Sequence, residues 1–181
     1  TSEGVARALG FQPVQGHWYR RDAAPVPLPR GTAKITFTSG TTGAPKGVCL
    51  SAAAQRAVAR SLAEAMRGLG IERHLCLLPL AVLLENVAGV RAAELAGAEC
   101  LLPPLAELGV AGGASFDALR CLAAIERWQP HSVIVLPQML AALAAAIEAG
   151  APPPRSLRLV AVGGAKVAPV LLGRARALGL P

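Results

Sequence analysis

Residues 132–162 read SVIVLPQMLAALAAAIEAGAPPPRSLRLVAV, two short apolar runs on either side of a longer apolar stretch with a different rhythm. Ser132 to Leu136 and Leu157 to Val162 are continuous rather than alternating, as expected of strands covered on both faces. Gln138 to Ala149 is rich in alanine and leucine and predicts a helix. Pro137 stands just ahead of it, where a first helical residue loses nothing by lacking an N–H. The crossover from Val133 to Leu159 is long enough for a right-handed βαβ unit. This unit predicts an α/β fold: a layered, mostly parallel β-sheet flanked by helices on both faces.

The same alternation continues outward. Strands are expected at Lys34 to Thr38, Leu75 to Leu78 and Glu99 to Leu102. Helices are expected at Ser51 to Leu69, Leu83 to Leu95, Phe116 to Trp128 and from Pro169 onward. Ser51 is the expected cap of the first helix, whose end is marked by Gly68 and Gly70; Ser115 is the expected cap of the helix that Pro130 stops. The first thirty residues end in the run APVPLP at Pro29, which reads as an extended connector. The expected organisation is therefore a connector over 1–32 and one α/β domain, itself partial, over 33–181.

With 53% hydrophobic residues in 181, the chain can bury one substantial core. The longest apolar run, Leu75 to Leu84, contains Pro79 and stops at Glu85, short of the roughly 18 to 20 residues that span a bilayer. No basic, then apolar, leader opens the chain, so a cytoplasmic location is expected. Its start at Thr1 without methionine suggests a piece of something longer. Cys49, Cys76, Cys100 and Cys121 show no CxxC pair and no nearby histidine cluster, so their spacing suggests neither zinc nor disulfides, and no metal ligand is assigned. The net charge of +7 comes with only 3% aromatic residues, which argues against a nucleic-acid partner and leaves an anionic small molecule open.

That anion has a candidate receptor. TFTSGTTGAPKGV, residues 36–48, sets Thr36, Thr38, Ser39, Thr41, Thr42 and Lys46 among Gly40, Gly43 and Gly47. Glycines let the backbone approach a ligand, hydroxyls turn their donors to phosphate oxygens, and an ammonium neutralises them. A Walker A loop is excluded: Pro45 and Gly47 flank the lysine where Gly and Ser/Thr belong. Pro45 also holds Ala44 extended, so no helix begins at Lys46.

This segment resembles the phosphate-loop signature of the adenylate-forming superfamily, which includes acyl- and aryl-CoA synthetases, luciferases and peptide-synthetase adenylation domains. Three more segments are similar in family order: LLPLAVLLENVAG at Leu77 to Gly89 with LAGAECLLPP after it, SVIVLPQMLAAL at Ser132 to Leu143, and LRLVAVGGAKVAP at Leu157 to Pro169. The resemblance implies that Thr38, Ser39, Gly40, Thr41, Thr42, Gly43 and Lys46 bind the β- and γ-phosphates of ATP, and that Gly163, Gly164 and Ala165 border the adenine. Val82, Glu85, Asn86 and Gly89 would face the carboxylic acid substrate. The implied reaction joins the carboxylate to the α-phosphate, giving acyl-AMP and pyrophosphate, with Mg2+ as cofactor and CoA or a carrier-protein thiol as acceptor. No residue of this chain is assigned a catalytic role, because catalysis would lie in positioning and charge neutralisation.

Val82 stands where acyl-CoA synthetases often carry histidine, and with its leucine neighbours it favours a fatty or other apolar acyl group. The same leucines serve equally as core, and helix-end hydrogen bonding accounts equally for Glu85 and Asn86. The family's later aromatic, magnesium-holding and lysine-bearing segments do not occur within these residues, so the chain by itself is expected to be inactive. A non-catalytic nucleotide- or anion-binding module is the alternative.

Overall fold

A computed structural model of the chain describes residues 3, 7, 11–15, 17–19, 27–38, 46–111 and 115–181. Within the stretch read as a connector, β1 (Gln12–Val14) and β2 (His17–Tyr19) pair antiparallel. A second hairpin joins β3 (Thr32–Thr38) to β4 (Lys46–Ser51). The strand expected at Lys34 to Thr38 is thus present and longer, whereas β4 has no counterpart in the sequence reading.

Helix α1 (Ala52–Ala65) follows at once, and Ser51 caps it as expected, its Oγ accepting from the Ala54 N–H at 3.1 Å. The helix stops four residues before Leu69, and both Gly68 and Gly70 then adopt positive φ. β5 (Arg73–Leu75) begins earlier than expected and is shorter, although the Cys76 N–H still reaches Leu101 O at 3.1 Å. Residues 83–95 are helical as expected, but Glu85–Arg91 is a π-helical segment that passes into α2 (Ala92–Leu95). β6 (Glu99–Leu101) comes next, then a 3-10 turn over Leu105–Leu108 and a small hairpin of β7 (Val110–Ala111) and β8 (Ser115–Phe116).

Helix α3 (Ala118–Trp128) corrects one expectation. Ser115 lies in β8, and the cap is Asp117, whose Oδ1 accepts from the Arg120 N–H at 3.0 Å. Its other end closes on Gln129 at φ 48°, with the Gln129 N–H on Ile125 O at 2.8 Å. The unit that announced the fold then appears as read: β9 (Ser132–Val135), α4 (Pro137–Glu148) and β10 (Leu159–Val162). Pro137 and Pro169 are the first residues of α4 and of α5 (Pro169–Ala177), each after an extended residue, as a proline ring requires.

The main sheet runs β6-β5-β9-β10 with every pair parallel. β9 is buried at all four positions, so both faces of the sheet are covered. One group of helices comprises α1, the π-helical segment and α2; the other comprises α3, α4 and α5. On α4, Met139, Leu140, Leu143, Ala144 and Ile147 form one buried stripe. Truncating a fully buried member such as Leu143 to alanine would cost about 2–5 kcal/mol. Among the described residues no helix is long and apolar enough to cross a membrane.

Candidate functional site

In the main sheet the chain leaves β5 for β6 on one side, and the strand on β5's other side is β9, reached only after β6. The order of strands therefore reverses between β5 and β9. The crevice beyond the carboxyl ends of two such strands is where open α/β sheets take ligands. Three of the segments singled out from sequence converge on that end.

The first is the glycine turn after β10. The Gly163 N–H donates to Val135 O at 3.1 Å, tying the turn to the end of β9. A Cβ on Gly163 would lie 2.9 Å from Leu84 Cδ2. Gly164 has φ +88°, a left-handed conformation that favours glycine, and a Cβ there would lie 2.7 Å from Leu136 Cδ2. Gly164 and Ala165 are exposed.

The second is the segment from Pro79 to Leu84 at the carboxyl end of β5. Val82 is exposed, and its carbonyl accepts from the Asn86 N–H at 3.0 Å, with Asn86 half-buried one turn on. Leu84 reaches the glycine turn, so this segment and the turn after β10 share a wall.

The third is the β3–β4 hairpin. Its register sets Thr38 opposite Lys46, so the backbone of these two residues closes the mouth of the loop between them. Lys46 is exposed and opens a strand rather than a helix, as Pro45 predicts. Ser39, Gly40, Thr41, Thr42 and Gly43, the remainder of the expected phosphate cradle, lie outside the described residues. From β3, Lys34 Nζ donates to Ala81 O at 3.3 Å, linking the hairpin to the second segment.

Beside these segments is a cleft of about 420 Å3 between α1 and the π-helical segment, walled by Leu50, Val58, Leu62, Leu84 and Val87. Its wall is almost wholly hydrocarbon, which suits an apolar guest.

Glu85 and Gly89 are placed differently from Val82. Glu85 is fully buried, with Oε1 2.9 Å from His74 Nε2 and Oε2 accepting the Leu78 N–H at 2.9 Å. His74 Nδ1 in turn meets Ser132 Oγ at 3.0 Å. A Cβ on Gly89 would stand 2.7 Å from His74 Nε2 and would overlap the Glu85 carboxylate, so the pair needs a glycine there. Sequence reasoning missed His74, Cys76 and Ser132. The available signal was the alternation His74-x-Cys76 on a strand, which puts both side chains on one face.

Comparison with known proteins gives the family. The family described as AMP-binding enzyme matches residues 3–181. The chain belongs to that family of adenylate-forming enzymes. No curated protein matches it by sequence. Among solved structures it is similar to apo MbtA of Mycobacterium smegmatis, with TM-score 0.64 and 25% identity over 88% of this chain and 28% of that one. It is similar to the O-succinylbenzoate-CoA synthetase MenE of Bacillus subtilis in complex with AMP, with TM-score 0.60 and 27% identity over 83% and 28%. The amide bond synthetase McbA of Marinactinospora thermotolerans gives TM-score 0.63 and 31% identity over 92% and 32%. The chain thus spans about a third of the length of these relatives.

Proposed function

We propose that this AMP-binding chain carries the phosphate-holding and adenine-facing part of an ATP-dependent ligase that activates an apolar carboxylic acid as its acyl-adenylate. The observation that carries the reading is the meeting of the β3–β4 hairpin, the Pro79–Leu84 segment and the Gly163–Gly164 turn at the reversal point of the sheet. Each was marked from sequence for a different part of one substrate set.

In this reading Lys46 and the backbone and hydroxyls of 38–43 neutralise and orient the phosphates of ATP. The turn at Gly163, Gly164 and Ala165 gives the adenine a close backbone approach. Val82 and Asn86 face the carboxylic acid, whose hydrocarbon part takes the cleft beside Leu84 and Val87. Glu85 and Gly89 act behind them, setting the position of the wall. Bound in this way, carboxylate and α-phosphate react within one site, and the gain is largely that of orientation. Mg2+ supplies charge neutralisation at the phosphates when bound with the nucleotide. Glu85, the carboxylate adjoining the segment, already serves His74 and Leu78. A thiol acceptor, CoA or a carrier protein, completes the reading, as does metabolism of fatty or related acids in the cytoplasm.

The test is ATP–pyrophosphate exchange by the protein produced with its natural flanking sequence, against acetate, octanoate and benzoate. Exchange that requires an acid and favours octanoate or benzoate over acetate is expected. ATP binding without exchange for any acid would replace the ligase with a nucleotide-binding module, and preference for acetate would remove the apolar pocket.

A further inference from the structure

Behind the substrate segment the fold gathers a nitrogen, a sulfur and an oxygen donor in its interior. His74 and Cys76 alternate at the end of β5 and face the same way. The π-helical segment brings Glu85 over them. Ligand atoms of the three residues lie within 4.8 Å of one another, and the residues are 3%, 2% and 0% exposed. We propose that His74, Cys76 and Glu85 bind a divalent transition metal of the zinc class, a site that the spacing of cysteines in the sequence does not reveal.

The donor chemistry selects the class. Mg2+ and Ca2+ take oxygen ligands, whereas one imidazole, one thiolate and one carboxylate suit zinc. The dimensions are close to those required. Bonds of about 2.0–2.1 Å to nitrogen and oxygen and about 2.3 Å to sulfur place tetrahedral ligands roughly 3.3–3.6 Å apart. His74 Nε2 and Glu85 Oε1 are 2.9 Å apart, and the full set spans no more than 4.8 Å, so shifts on the order of 1 Å close it.

The surroundings orient the ligands. Ser132 Oγ meets His74 Nδ1 at 3.0 Å and leaves Nε2 aimed at Glu85. The Leu78 N–H takes Glu85 Oε2 and leaves Oε1 to the set. Such outer hydrogen bonds fix ring and carboxylate orientation at metal sites. Gly89 keeps the helix wall clear of both ligands. Cys100, whose thiol donates to Val90 O at 3.8 Å, is not part of the set, so the chain supplies three ligands.

The proton and charge balance closes. A metal-bound cysteine is a thiolate, so the Cys76 thiol gives up its proton when the metal binds. With a proton on Nδ1, where Ser132 Oγ accepts it, His74 offers Nε2 as the ligand. A dication with one thiolate and one carboxylate then sums to zero, the condition under which charges are tolerated in a protein interior.

The experiment uses the protein with its natural flanking sequence, analysed for metal as purified and after refolding with Co2+ alone. About one metal per chain is expected, with thiolate-to-cobalt charge-transfer absorption in the near ultraviolet and tetrahedral bands in the visible. Cys76→Ser should lose the charge-transfer band and His74→Gln should lose metal. Zn2+ should raise the melting temperature above that of chelator-treated protein. No band and no zinc-dependent melting shift in the unsubstituted protein would overturn the site and leave a cluster held by protons; so would a band that survives Cys76→Ser. If a variant fails to fold, the spectrum of the unsubstituted protein decides alone. None of these readouts depends on ligase activity.

Discussion

The Leu78 N–H donates to Glu85 Oε2 across 2.9 Å, so a buried carboxylate holds the backbone at the point where the chain leaves β5 for the Pro79–Leu84 segment. Glu85→Ala would orphan that N–H together with one ring nitrogen of His74. Leaving a buried polar group without its partner costs about 1–3 kcal/mol. Glu85→Gln keeps an oxygen for Leu78 and should cost less. Urea unfolding of the three forms should rank them native, Gln, Ala; equal midpoints would mean that the carboxylate holds nothing.

Lys46 opens β4 beside the loop marked for phosphate, and its side chain is exposed. A charge-assisted hydrogen bond contributes about 1.5–3 kcal/mol. Lys46→Ala should therefore weaken ATP use roughly ten- to a hundred-fold while leaving the melting temperature nearly unchanged. Pyrophosphate exchange measured against ATP concentration checks it, and superimposable curves would remove the lysine from the phosphate site.

Glu148 at the end of α4 takes Arg174 Nε of α5 at 2.7 Å on Oε1, and hydrogen bonding by Arg174 holds its carboxyl below the ordinary value of 4.5. A depressed carboxyl contributes stability above its unfolded pKa and loses it as pH falls through the folded pKa. The gap in melting temperature between native protein and Glu148→Gln should be full at neutral pH and close below about pH 4. The pair is solvent-facing, so the gap should also be small and shrink in salt. A gap that widens in acid would contradict the assignment.

Burial pushes the Cys121 thiol up to about 12, and burial with Glu85 pushes Cys76 up as well. Thiolates are the reactive form. Iodoacetamide at pH 8 should modify native Cys49, which is half-buried, well before either, as mass mapping would record. Rapid labelling of Cys121 in folded protein would show that α3 does not pack as described.

The β9–α4–β10 unit was legible because apolar runs without alternation, bracketed by prolines, admit few other structures. β4 was not, since KGVCLS follows a glycine-rich loop and carries no two-residue alternation of its own. Asp117 displaced Ser115 as a cap because β7 extends the chain just far enough to draw Ser115 into pairing with Ala111. The π-helical turn was hidden too: at residues 83–95 the apolar spacing that predicts a helix does not distinguish its hydrogen-bond pattern. Of the candidate site, the glycine turn and Lys46 were readable as motifs. The association of Glu85 with His74 and Ser132 was not, for it depends on residues as far as 58 positions apart brought together by the register of β5 on β9 and by the π-helical segment packed over them.

That register has a kinetic side. β5 joins β6 through a helical crossover at residues 76–98, and β9 joins β10 through one at residues 136–158, but the seam between the halves brings His74 to Ser132 over 58 residues. Contacts of long sequence separation form late because the chain must close a large loop before they repay it. The two βαβ halves should therefore be assembled early and dock last. The polar seam of His74, Ser132 and Glu85 would act as the register mark of that docking, since a one-residue slip would turn the imidazole away from both partners and leave it buried alone.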